Sequence, residues 1–118
     1  LSDISFENGD RVIINARSQQ YDRKGSSMMA SGNVHIVYGD YVADGPKAIM
    51  YINSKTNKPE KIVFVGRSKI VENKVNSVEA DKITMIIAPK HFEAEGRVKT
   101  NIEQGTGNKK QDKMEFSL

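Results

Sequence analysis

The sequence predicts an all-β fold of short antiparallel strands. Three observations predict it: the choice of apolar residues, a period-two alternation and the turn signals between the runs. The apolar set holds 12 Ile and 10 Val but only two Leu, one at each terminus. β-Branched side chains are stiff at χ1 and suit a pleated, half-buried surface, whereas Leu is a strong helix former.

The alternation places the elements in order. In 33–38, Val34, Ile36 and Tyr38 share one face. In 47–52 both faces are apolar, with Ala48, Met50 and Ile52 on one; in 61–65, Ile62 and Phe64 oppose Val63 and Val65. Ile83, Met85 and Ile87 align in 82–87, Phe92 and Ala94 in 91–95, and Val98, Thr100 and Ile102 in 97–102. Met114 and Phe116 close the series. Asn8-Gly9-Asp10, Asp22 to Gly25, Gly39-Asp40, Asn53 to Pro59, Glu72-Asn73-Lys74, Ala88-Pro89-Lys90 and Gly105 to Asn108 read as turns. The pattern predicts a meander of roughly ten strands, with Ser18 to Tyr21 ambiguous and no capped segment of helical period. The polar stretch 105–112 reads as a mobile loop before the last strand.

At 118 residues the chain, 1–118, reads as a single domain. Leu, Ile, Val and Phe make up 28 of the 118 residues, enough for a folded core. No apolar run is long enough for a membrane helix, so no transmembrane segment is expected. The opening Leu1-Ser2-Asp3-Ile4 lacks the basic and apolar regions of a signal peptide. The net charge of +3 falls in residues 61–118, with 11 basic and eight acidic side chains. Eight scattered Phe and Tyr give no stacking platform, so no nucleic-acid partner is expected.

The absence of Cys removes disulfides, thiolate metal sites and thiol nucleophiles. Asp40, Asp44 and Asp81 stand singly beside turns, without the dense ligand spacing of a Ca²⁺ loop. His35 and His91 fall outside the apolar alternation and read as exposed. There is no Gly-x-Ser-x-Gly, no phosphate loop and no carboxylate pair with a base. The expectation is a protein without catalytic residues, metal or cofactor.

A repeat underlies the pattern. One unit runs from Ala30-Ser31-Gly32-Asn33-Val34 through Val42-Ala43-Asp44 to Ile49-Met50-Tyr51. A second runs from Val65-Gly66-Arg67-Ser68 through Val78-Glu79-Ala80-Asp81 to Thr84-Met85-Ile86. A third starts at Ala94-Glu95-Gly96-Arg97-Val98, and Ile14-Asn15-Ala16-Arg17 echoes the second half of a unit. Gly within a strand marks a bulge or a sharp bend. A sheet bent at regular glycines folds into a β-jelly roll or a β-solenoid.

The ordered set Ala30-Ser31-Gly32-Asn33-Val34-His35-Ile36, Val42-Ala43-Asp44, Ala80-Asp81-Lys82-Ile83 and Gly96-Arg97-Val98 resembles the OstA-like family over roughly residues 11–103. That family holds lipopolysaccharide-transport protein A, the periplasmic domain of its partner C and the N-terminal domain of partner D. The chain departs from the pattern at Gly66-Arg67-Ser68 and at Arg17, where Asp is preferred.

The resemblance implies a twisted, incompletely closed antiparallel β-jelly roll in the periplasm. Its apolar trough would hold acyl chains of lipopolysaccharide or a related glycolipid. Such domains stack end to end as homo-oligomers or with other bridge domains, here through edge strands near 4–7 and 113–117. The candidate lining is Val34, Ile36, Met50, Ile62, Phe64 and Ile83, then Met85, Phe92, Val98, Ile102, Met114 and Phe116. Lys69, Lys82 and Lys99 are the candidate headgroup rim. Any of these apolar side chains also serves as plain core. The competing expectation is therefore a sealed structural protein, solenoid or jelly roll, that self-assembles through its edges without a ligand.

Overall fold

In the computed structural model of the chain, the described residues form nine strands, all in one antiparallel sheet. The structure describes the backbone of residues 2–5, 11–22, 24, 26–87, 91–102 and 108–117, and the side chains of 11–22, 24, 26–87 and 91–102. The strands are β1 (Ser2–Ser5), β2 (Arg11–Asn15), β3 (Ser18–Asp22), β4 (Ser27–Tyr38), β5 (Tyr41–Ile52), β6 (Pro59–Glu72), β7 (Asn76–Ile86), β8 (His91–Asn101) and β9 (Asn108–Ser117). Their order is β1-β2-β4-β5-β6-β7-β8-β9, with β3 beside β2 on the same edge of β4. The path ends at β1 and β9, which do not pair, so the sheet is not closed.

The elements expected from alternation all form. The ambiguous Ser18 to Tyr21 is strand β3. One expectation is corrected: β9 begins at Asn108, so 108–112 belong to a strand and not to a loop. Asn108-Lys109-Lys110-Gln111-Asp112 has no apolar alternation to announce it. Its ladder to β8, from Asn101↔Asn108 to Val98↔Gln111, makes it a strand instead.

A sheet with one apolar face needs a second layer. This sheet supplies its own by folding along a crease that crosses every long strand. Each ladder shifts register there: at Ser31/Val34, Asp44/Lys47, Val65/Ser68, Glu79/Lys82 and Glu95/Val98. On β4, β6 and β8 three residues separate consecutive buried side chains: 31–33 between Ala30 and Val34, 65–67 between Phe64 and Ser68, 95–97 between Ala94 and Val98. An undistorted strand has one. On β7 two residues, Asp81 and Lys82, separate Ala80 from Ile83. The surplus backbone lies on the outer face, as a bend toward the inner face requires. In the first pair the crease is a gap: β2 and β3 are two halves of one path along β4, broken at Ala16-Arg17, whose Arg17 N–H donates to Gly32 O at 2.9 Å.

The glycines of the repeat sit on this line. Gly32, Gly66 and Gly96 have φ of 81°, 95° and 81°, which disfavours any other residue. Each is also covered from the preceding strand position. A Cβ on Gly32 would lie 2.9 Å from Arg17 Cβ, on Gly66 2.7 Å from Pro46 Cγ, and on Gly96 2.8 Å from Asp81 Cβ. The covering position therefore takes Arg, Pro or Asp, and Arg17 is one of three equivalents. The structural repeat pairs Asp81 with Pro46, not with Asp44. Asp44 corresponds to Glu79, since both oppose Lys69.

The two leaves bury their inner faces on each other. Val34, Ile36, Ile70, Val78 and Val98 from the second leaf join Met50, Ile62, Phe64, Ile83 and Met85 from the first in one cluster, each at most 5% exposed. Tyr41 of β5 meets Phe92 of β8 edge-on, centroids 6.4 Å apart. Three strand positions separate them in the sheet, so the leaves cross obliquely instead of stacking strand on strand.

An ion-pair network braces the outside of the crease. Arg97, held at φ 47°, donates from Nε and a terminal nitrogen to Asp81 at 3.1 and 2.7 Å. Arg67 donates to Arg97 O at 2.8 Å and lies 3.5 Å from Glu79. Hydrogen bonding from Arg97 holds the Asp81 carboxyl below the usual carboxylate range against an opposing loss of solvation, with Arg67 adding a lesser contribution.

Two predictions follow from the crease. Gly66→Ala and Gly96→Ala should each lower unfolding free energy in urea by about 1–3 kcal/mol, through backbone strain plus crowding. Gly39→Ala, at φ 59° with open space around it, should cost less. Equal losses at all three would show that the covering side chains add nothing. Because the folded-state pKa of Asp81 is depressed, its contribution is present above the ordinary carboxylate range and disappears as pH falls through the lower, folded value. Urea midpoints of wild type and Asp81→Asn should therefore differ at neutral pH and converge in acid.

Candidate functional site

The interior between the leaves gathers most of the sequence-predicted lining. Val34, Ile36, Met50, Ile62, Phe64, Ile83, Met85, Phe92 and Val98 all point inward and are buried in the common cluster. Strand pairing sets them in rows: Met50, Ile62, Met85 and Phe92 across β5 to β8, and Ala48, Phe64, Ile83 and Ala94 beside them. Ser68 and Thr100 are the buried polar residues among the described side chains. The Ser68 hydroxyl donates to Gly66 O at 2.8 Å. The rows thus offer hydrocarbon a surface with almost nothing to hydrogen-bond. The facing side chains bury one another in the middle of this interior.

Ile102 is placed differently. It follows the end of β8, is 40% exposed, and stands at an opening between the leaf rims. Met114 and Phe116 lie outside the described side chains.

The lysines do not form a rim around the interior. Lys69, Lys82 and Lys99 alternate with buried neighbours and point to the outer face. Lys69 and Lys99 flank Glu79, and Lys82 opposes Glu95, so they belong to cross-strand charge ladders. Period two explains this: Lys69 sits between Ser68 and Ile70, and Lys99 between Val98 and Thr100.

The opening itself involves residues that the sequence pattern did not single out. A cavity of about 160 Å³ has Ile70, Val78, Phe92 and Ile102 as its apolar walls, with Tyr41, Glu72, Asn76 and Ser77 at its lip. Tyr41 Oη donates to Glu72 Oε2 at 2.7 Å, and Asn76 Nδ2 donates to Glu72 Oε1 at 3.1 Å. These two bonds, the Tyr41 one first, hold the Glu72 carboxyl below its usual range despite some burial. Glu72 was legible as inward: it continues the parity of Ser68 and Ile70. Its place in the Glu72-Asn73-Lys74 turn signal hid that.

The remaining candidates are apart from the interior. His35 Nδ1 and Asp44 Oδ1 are 2.6 Å apart on the outer face, both about half exposed. Asp40 lies in the β4–β5 turn and Asp81 in the crease network. Among the described residues, no three carboxylate or His side chains converge as metal ligands.

Comparison with known proteins meets this geometry. The fold is similar to the crystal structure of LptH from Pseudomonas aeruginosa, the LptA-homologous periplasmic component of its lipopolysaccharide transport device. The TM-score is 0.77 at 13% identity, covering 90% of this chain and 75% of that one. Comparison with curated proteins finds no match to the sequence. The family described as LptA/(LptD N-terminal domain) LPS transport protein matches residues 13–117. With nearly its whole length matched and an unclosed, creased sheet of this kind, the chain belongs to the LptA/LptD N-terminal family of lipopolysaccharide-transport proteins.

Proposed function

We propose that this chain is a periplasmic carrier module that holds the acyl chains of lipopolysaccharide, or a related glycolipid, between its leaves and passes the lipid toward the outer membrane. It does no chemistry on its cargo. The observation that carries this reading is the continuous apolar inner face of a sheet that is not closed. The leaves can part without breaking a ladder of backbone hydrogen bonds, because β1 and β9 are not joined. Each methylene then buried contributes about 0.8 kcal/mol, which offsets the packing that the leaves give up. Met50 and Met85 sit on the inner rows, where their flexible thioethers can re-pack around chains of different length.

Hand-off needs a continuous path. The free edges of β1 and β9 offer unpaired N–H and C=O groups to another domain of the same kind, extending the sheet end to end. The dense packing of the interior also fits a second reading, a self-assembling structural protein without a ligand.

A photo-crosslinking amino acid at Phe64 or Ile83 separates these. On the carrier reading, incubation with lipopolysaccharide gives lipid adducts at both positions and few at Val65, which is on the outer face and 42% exposed. Adducts confined to outer positions would end the carrier reading in favour of the structural one. For assembly, gel filtration over a rising concentration series should show larger species. Two prolines placed in 108–117 should abolish them, since proline cannot donate to a ladder. Unchanged elution of that variant would rule out β9 as the joining edge.

A further inference from the structure

We infer that the cavity walled by Ile70, Val78, Phe92 and Ile102 is the port through which a single hydrocarbon chain enters the interior, and that the Tyr41–Glu72 hydrogen bond is its latch. The inference rests on the carrier reading and adds where and how the interior opens. Its volume, about 160 Å³, is that of a dry cavity that accepts one benzene-sized apolar molecule. It therefore fits the end of one chain and not a bundle of chains or a sugar headgroup.

The position is distinctive in the fold. On the first leaf, Met28 and Ile52 lie against the core. The adjoining 53–58 loop is tied by Asn53 N–H to Lys58 O at 2.8 Å and by Asn53 Oδ1 accepting from Lys55 and Thr56 N–H. Cavities beside that loop are bordered by Lys24, Lys55, Lys58, Lys61 and Glu60. Pro59 and Ile86 line one of them and Tyr51 and Ile52 the other, but the charged groups beside them make a poorer entry for hydrocarbon than the port. At the port, Phe92 forms the inner wall and leads by strand pairing to Met85, then Ile62, then Met50. A chain that passes Phe92 is on the inner row.

Tyr41 controls that step. Its ring covers Phe92 from the opposite leaf, and its hydroxyl is anchored to Glu72, itself held by Asn76. The anchor helps to hold the ring over Phe92. The Glu72 carboxylate at the lip also repels a phosphate-bearing headgroup, so the hydrocarbon enters tail first.

The test uses the full chain with a photo-crosslinker at Ile83 and, as single-chain probe, a diazirine-bearing hexadecanol. Tyr41→Phe keeps the ring and removes the anchor. It should speed adduct formation by hexadecanol, and by lipopolysaccharide at Ile83, about tenfold, the factor carried by one hydrogen bond to a charged acceptor. Mass spectrometry should place the hexadecanol first on Phe92 and Ile102, later on Met85. In a second variant, Ile102→Cys, the new thiol is unique because the chain has no Cys. Alkylating it with N-benzylmaleimide plugs the cavity and should slow capture at Ile83 by a similar factor relative to the same variant left unalkylated. Capture at Ile83 at one rate in wild type, Tyr41→Phe and the plugged protein would overturn the port and leave the carrier reading standing. No capture at Ile83 in any form would overturn both.

Discussion

Everything in this fold depends on one geometric constraint: a single apolar sheet face must be covered, and the sheet itself is the only cover among the described residues. Bending every long strand toward its apolar side lengthens the outer path. The chain meets this with surplus residues at the bend, three between buried neighbours on β4, β6 and β8 and two on β7. Glycine is needed at the surplus because the backbone turns through positive φ while a neighbouring side chain lies on it. The Asp81–Arg97–Arg67 network then fixes the outside of the bend, where Arg97 itself adopts the left-handed conformation. Inner packing and outer bracing are two sides of one corner.

The repeat made much of this legible. Gly32, Gly66 and Gly96 mark the corner, and period-two parity on either side identifies the inner face. Less legible was what lies opposite each glycine. Sequence similarity aligns Ala43-Asp44 with Ala80-Asp81, yet the ladders match Asp44 to Glu79, and the glycines they cover match Pro46 to Asp81. The bulges shift register by a residue, which simple alignment of small-residue-plus-acid strings does not register. β9 was legible only in its last half, because Asn108 to Asp112 reads as a polar loop. Edge strands are often polar, since charge there discourages unwanted pairing.

The candidate site divides in the same way. The apolar lining follows from parity alone, and nine of its residues converge. Parity also predicts the failure of the lysine rim at Lys69 and Lys99: a Lys between two buried residues must face outward. The mouth was the least legible part. It forms where Tyr41 of one leaf meets Phe92 of the other, a contact between residues 51 positions apart that no local period encodes. Glu72 continues the inward parity of β6 at its last residue, where the pattern of a strand and that of a turn overlap.

On the carrier reading, an interior whose facing side chains pack on one another has a consequence for affinity. In a rigid open groove, every buried methylene would add its full transfer free energy, and a long acyl chain would be held too firmly to leave. Here the leaves regain their own contacts when a chain departs. Phe64, Ile83 and Met85 are then covered by protein instead of water. The net preference for cargo is the difference between two apolar packings of the same surface, so it grows by much less than about 0.8 kcal/mol per methylene. On the carrier reading, that small difference is what a hand-off module requires. It also locates the selectivity: two greasy packings discriminate poorly among hydrocarbon chains. Discrimination falls instead to the lip, where Glu72 is held ionised by Tyr41 and Asn76 beside the apolar entrance.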